Sequence, residues 1–247
     1  MNWVWFHKLA SPPHFYRIAG RWVRWCAWPA ALLGVGGLVW SLALAPSDYS
    51  QGEGYRILYV HAPTAWLSTM TYSVMAVSAA VGLIWRMNVA HSVSASCAVV
   101  GASFTFVALA TGSLWGKPMW GTWWEWDPRL TSELLLLFIY LGYIGLRNAI
   151  DDIGRADRIC ALLAVVGMVD VPIIYYSVEW WNSLHQAPSV MKFGKPSMPP
   201  AMLWPLLTVF AAASLYAVCL ILTRARGEVL RRERGGQWLV EAVEETS

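Results

Sequence analysis

Residues 57–85, 87–116 and 196–223 contain no Asp, Glu, Lys or Arg. Each run exceeds the ~20 apolar residues that a helix needs to cross a bilayer. Three further stretches come close: 25–47 is uncharged, 130–146 carries only Glu133, and 159–178 carries only Asp170. The chain therefore reads as an all-α integral membrane protein with six transmembrane helices, expected at about 26–45, 61–85, 93–115, 129–147, 158–178 and 202–223. Composition agrees, since 57% of the 247 residues are hydrophobic and only 13% are charged, far less charge than a soluble domain of this length carries.

Six spans put both termini on one side. Thirteen of the 18 Lys and Arg residues lie in segments on that side, leaving Arg56, Lys117, Arg129, Lys192 and Lys195 on the other. The positive-inside rule then makes both termini cytoplasmic and turns the loops at about 46–60, 115–129 and 179–200 outward. Residues 1–25, with Trp3, Trp5, Phe6, Phe15 and Tyr16 interleaved with Lys8, Arg17, Arg21 and Arg24, are expected to form a cytoplasmic interfacial segment rather than a cleavable signal peptide. Residues 26–223 form the six-helix domain, and 224–247 a cytoplasmic tail, basic then acidic. No glycine-rich phosphate loop opens a helix, so any use of ATP falls to a partner. Cys26, Cys97, Cys160 and Cys219 are scattered singly, which excludes a C-x-x-C thiol oxidoreductase and a covalent c-type cytochrome.

The chemistry concentrates on the outward loops. Trp115, Trp120, Trp123, Trp124 and Trp126 fall within twelve residues, more than the ordinary enrichment of tryptophan at membrane interfaces explains. Trp120, Trp123 and Trp124 are spaced i, i+3, i+4, so a short interfacial helical turn is expected to present them on one face. His61 opens the second span at its outer end, and His185 follows Trp180 and Trp181 in the last outward loop. A lone interfacial histidine is most simply a hydrogen-bonded structural residue; two on one face, each beside indoles, make a pair of axial ligands for haem iron with no open position. Arg56 and Arg129 break the charge bias on this side and can pair with carboxylates such as haem propionates, or with lipid phosphates. Asp127 before Pro128 has the form of a helix N-cap. Asp170, inside the fifth span, is either a proton relay or a neutral, hydrogen-bonded group of the bundle, the latter being favoured.

The stretch 120–129, Trp-Gly-Thr-Trp-Trp-Glu-Trp-Asp-Pro-Arg, resembles the WWD signature of the haem-handling proteins of cytochrome c biogenesis. Together with Ser177–Gln186 and the Tyr59-Val-His61-Ala-Pro63 junction, it is similar over nearly the whole chain to the haem exporter protein C family of system I maturation. The resemblance implies a haem-delivery subunit of the bacterial inner membrane, not an enzyme. It implies non-covalent haem b on the periplasmic face, held between His61 and His185. Trp115, Trp120, Trp123, Trp124 and Trp126 would form the platform, with Asp127 in the motif and Arg56 and Arg129 as propionate partners. The implied partners are a periplasmic haem chaperone, a small single-span protein, an ABC-type ATPase with its membrane subunit, and lipid; no nucleic acid is expected.

Two other classes compete. A b-type membrane cytochrome usually buries its histidines within helices and often stacks two haems across the bilayer, whereas only one pair at one face is available here. A proton-coupled transporter using Asp170 needs a polar path, and helices two, three and six lack charges altogether.

Overall fold

The computed structural model describes residue 8 and residues 10–185, 190, 195–234, 236 and 238–239. Trp3, Trp5 and Phe6, most of the 186–194 loop and the acidic end of the tail lie outside the described residues. The helices are α1 (Pro12–Val39, continued by a π turn over Trp40–Leu44), α2 (Leu58–Trp85, preceded by a 3-10 turn over Glu53–Ile57), α3 (Asn88–Trp120), α4 (Pro128–Ala149), α5 (Ile153–Gly167), α6 (Asp170–Trp180) and α7 (Pro200–Arg232). They make six units long and apolar enough to span a membrane, α5 and α6 together forming the fifth. The expected all-α, six-span architecture is thus observed, and the described residues contain no strand. An α-helix suits such a setting because it satisfies its backbone donors and acceptors internally.

The helices overrun the expected spans. α1 starts at Pro12, so residues 12–25 continue into the first span as one helix. α7 runs on to Arg232, where Arg147, Asp157, Glu228 and Arg232 form a linked set of ion pairs joining α4, α5 and α7. Charge marks where a span leaves the apolar layer; it does not end a helix that still finds packing and ionic partners.

Small residues let the bundle close. α2 and α3 form a hairpin across Arg86 and Met87, with Arg86 in the left-handed region (φ 54°). They pack along their lengths through Ala76, Ala79, Cys97, Ala98 and Ala102, the small-residue contact typical of helices in lipid. Gly101 is required here: a Cβ would lie 2.1 Å from the Tyr140 hydroxyl, which donates to the Ser68 carbonyl. α1 packs chiefly on α7 and leaves Trp25, Leu32 and Val35 exposed, as a lipid-facing helix does.

The fifth span is broken. α5 ends at Gly167 and α6 begins at Asp170, and the Tyr72 hydroxyl donates to the Ala164 carbonyl beside the break (3.1 Å). Pro172, which has no N–H, accounts for the interruption. Asp170 is buried as expected, but neither carboxyl oxygen has a hydrogen-bond partner, which corrects the hydrogen-bonded state anticipated for it.

Candidate functional site

His61 sits in the first turn of α2, where its Nδ1 lies 3.0 Å from the Ala108 carbonyl and 3.1 Å from Thr111 Oγ1 on α3. A carbonyl only accepts, so Nδ1 carries the proton and Nε2 keeps the free lone pair that a metal needs. Gly112 makes room beside the ring, since a Cβ there would stand 3.1 Å from His61 Cε1.

His185 comes from the segment beyond α6, yet its ring centroid is 6.4 Å from that of His61, with the planes 34° apart. Two imidazole–metal bonds of about 2 Å each, plus about 1 Å from each ring nitrogen to its centroid, give a separation of about 6 Å. The spacing therefore fits an ion held between the rings. A second feature fits a ligand with its own acceptors: the Trp124 Nε1 is buried without a hydrogen-bond partner.

The tryptophans divide into two groups. Trp115 meets His61 edge to face at 5.8 Å, and Trp120 meets His185 at 6.5 Å. Trp115 donates to Gln51 Oε1 (3.0 Å). Gln51 is presented by a turn in which Asp48 accepts from the Ser50 hydroxyl and the backbone N–H groups of Ser50 and Gln51. Those bonds, led by the Ser50 hydroxyl, hold the Asp48 carboxyl below the ordinary carboxylate range. Trp123 and Trp126 instead face outward, 55% and 76% exposed.

The helical turn expected through Trp120, Trp123 and Trp124 is absent. α3 continues to Trp120 and stops at Gly121, a left-handed cap (φ +80°) whose carbonyl accepts from Lys117 Nζ. Residues 121–127 form a non-helical bend, so the five indoles do not share one face.

Asp127 caps α4 as expected, its Oδ1 accepting the Arg129 N–H at 2.8 Å. Its Oδ2 also accepts the Leu184 N–H at 2.8 Å, a contact between residues far apart in the chain that no local pattern announces. Arg129 donates to the Ile174 carbonyl (3.2 Å) and lies within electrostatic reach of His61. Arg56 is engaged elsewhere, by Glu53 and by the Ser41 carbonyl (2.9 Å). Sequence reasoning also missed Gln51, Thr111 and Ser183, whose hydroxyl accepts the His185 N–H (3.0 Å); each is an ordinary polar residue marked only by its partner.

Fold and site together define a multi-pass, all-α membrane protein that gathers paired imidazoles and indoles at one end of its bundle. The profile of the Heme exporter protein C family matches residues 5–240, and the chain belongs to that family. It is 46% identical over 241 residues to Heme exporter protein C of Escherichia coli K12, covering 98% of this chain and 97% of the relative. The corresponding protein of Haemophilus influenzae is 47% identical over 246 residues, 99% of each chain. A mitochondrial protein of Marchantia polymorpha, named for cytochrome c biosynthesis, is 44% identical over 172 residues, covering 70% of this chain and 72% of its own.

Proposed function

We propose that this protein binds haem b without a covalent link at the periplasmic face of the bacterial inner membrane and delivers it to a periplasmic haem chaperone for cytochrome c maturation. The observation that carries the reading is the His61–His185 pair at 6.4 Å, flanked by Trp115 and Trp120. His61 Nε2 and His185 would hold the haem iron, and Trp115 and Trp120 wall the two imidazoles by edge contacts. Trp123 and Trp126 offer apolar surface where the cargo leaves. Arg129 is the better placed propionate partner, because Arg56 already holds a carboxylate and a carbonyl. The role is binding and handoff rather than bond-making, in company with an ABC-type ATPase, its membrane subunit and a single-span partner.

The test separates retention from delivery. His61→Ala and His185→Ala should each empty the site or shift its spectrum, and chaperone loading should fall with retained haem. Wild-type retention and loading in both variants would refute the assignment.

A further inference from the structure

We infer that Asp127 is a positioning residue for His185: its single carboxylate fastens the start of α4 to the loop that carries the second histidine. The inference rests on the proposed ligation by His185. Asp127 is 6% exposed and spends both oxygens on backbone donors, Oδ1 on Arg129 N–H and Oδ2 on Leu184 N–H, each at 2.8 Å. The second bond spans 57 residues of sequence and lands on the residue directly before His185.

The two histidines differ in how they are supported. His61 stands on a helix, with its ring tied to the Ala108 carbonyl. His185 stands on the non-helical segment that follows Trp180, where Ser183 Oγ and Asp127 Oδ2 fix successive backbone N–H groups. A ligand on a loop binds only from the fraction of time that the loop holds it in place, so loosening the loop weakens the axial bond by that fraction. Asp127 is anchored in turn, because α4 is packed into the bundle through the buried Glu133, which accepts from Ser68 Oγ (2.6 Å). Asp127 also ends the tryptophan bend, so one carboxylate ties that bend and the segment of the second histidine to α4.

Asp127→Asn tests this. Asparagine caps helices as well as aspartate does, but it has one oxygen and an amide that would face one of the two N–H groups donor to donor. Asp127→Ser, also a good cap, has a single oxygen on a shorter side chain and tests the same point should the asparagine adopt the other orientation. The full chain, purified in detergent, is read in two ways: amide hydrogen exchange at Leu184 and His185 in haem-free protein, and carbon monoxide binding to the ferrous haem-bound form. With thermal midpoints near wild type, both variants should speed exchange at least tenfold and raise carbon monoxide binding about tenfold. Unchanged exchange and carbon monoxide binding in both would overturn the inference and leave Asp127 as a cap alone. His185→Ala is the control: if it opens the iron to carbon monoxide and the Asp127 variants do not, the positioning role is wrong and ligation stands. If His185→Ala also leaves carbon monoxide binding unchanged, the ligation reading fails and the positioning claim with it.

Discussion

At the scale of single residues, the site assigns different tasks to side chains that look alike in sequence. Trp115 and Trp120 touch the two imidazoles, whereas Trp123 and Trp126 face outward. An aromatic contact is worth about 0.5–1.5 kcal/mol beyond its area burial, so single Trp→Phe changes should be mild at all four positions. Paired alanine changes should separate them: Trp115/Trp120 should lower retained haem, and Trp123/Trp126 should spare retention while lowering chaperone loading. Measuring haem content and loading in the same preparations checks this, and equal loss of retention in both pairs would contradict the division. Gln51→Leu removes the acceptor of Trp115 Nε1, a loss of about 0.5–1.5 kcal/mol, and should lower haem occupancy only partly. The residue types at the site were legible because tryptophan and histidine are conspicuous at the ends of long apolar runs. Their supports were not. Gln51 meets Trp115 across 64 residues and Leu184 meets Asp127 across 57, and nothing in local sequence announces such contacts.

At the scale of elements, apolar runs predicted the spans, and glycine and proline decided how they are shaped. Gly121 ended α3 and replaced the anticipated helical turn with a bend. The i, i+3, i+4 spacing misled because a spacing describes a face only where the backbone is already helical. Gly167 and Pro172 flank the break in the fifth span, and a Cβ on Gly167 would lie 2.1 Å from the Tyr72 hydroxyl. Sequence showed the proline; the tyrosine filling the glycine's place came from another helix. Gly101→Ala tests this close packing. On an exposed helix the change would stabilise by about 1 kcal/mol, but here the clash with Tyr140 makes it destabilising, by roughly 1–3 kcal/mol. Gly142→Ala, with open space around it, is the comparison. Thermal unfolding in detergent should drop for Gly101→Ala and hold or rise for Gly142→Ala; equal effects would mean that Gly101 is not a contact point. Asp170→Asn keeps the shape of a buried, unpartnered group while removing its ability to ionise. Haem delivery should persist at normal protein level, and its loss would revive a proton-relay role.

At the scale of the whole molecule, the bundle has two chemically distinct ends. One gathers His61, His185, Trp115 and Trp120; the other ties α4, α5 and α7 through half-buried ion pairs of Arg147, Asp157, Glu228 and Arg232. On the proposed function the first end faces the periplasm, the side that the charge bias of the loops favours. Reporter fusions after Ser50, Thr122 and Gln186 should read as external, and those at Asp152 and Arg234 as cytoplasmic. An internal reading at Thr122 would reverse the direction of delivery. The proposed function turns on the ligand between the two histidines. Its most direct test is the absorption spectrum of the wild-type protein, purified from haem-replete cells that also make its partners. Haem held between His61 and His185 should give the low-spin, six-coordinate spectrum of a b-type haem, with pigment extractable into acid acetone; a colourless protein, or a high-spin haem unchanged by loss of either histidine, would contradict that ligation.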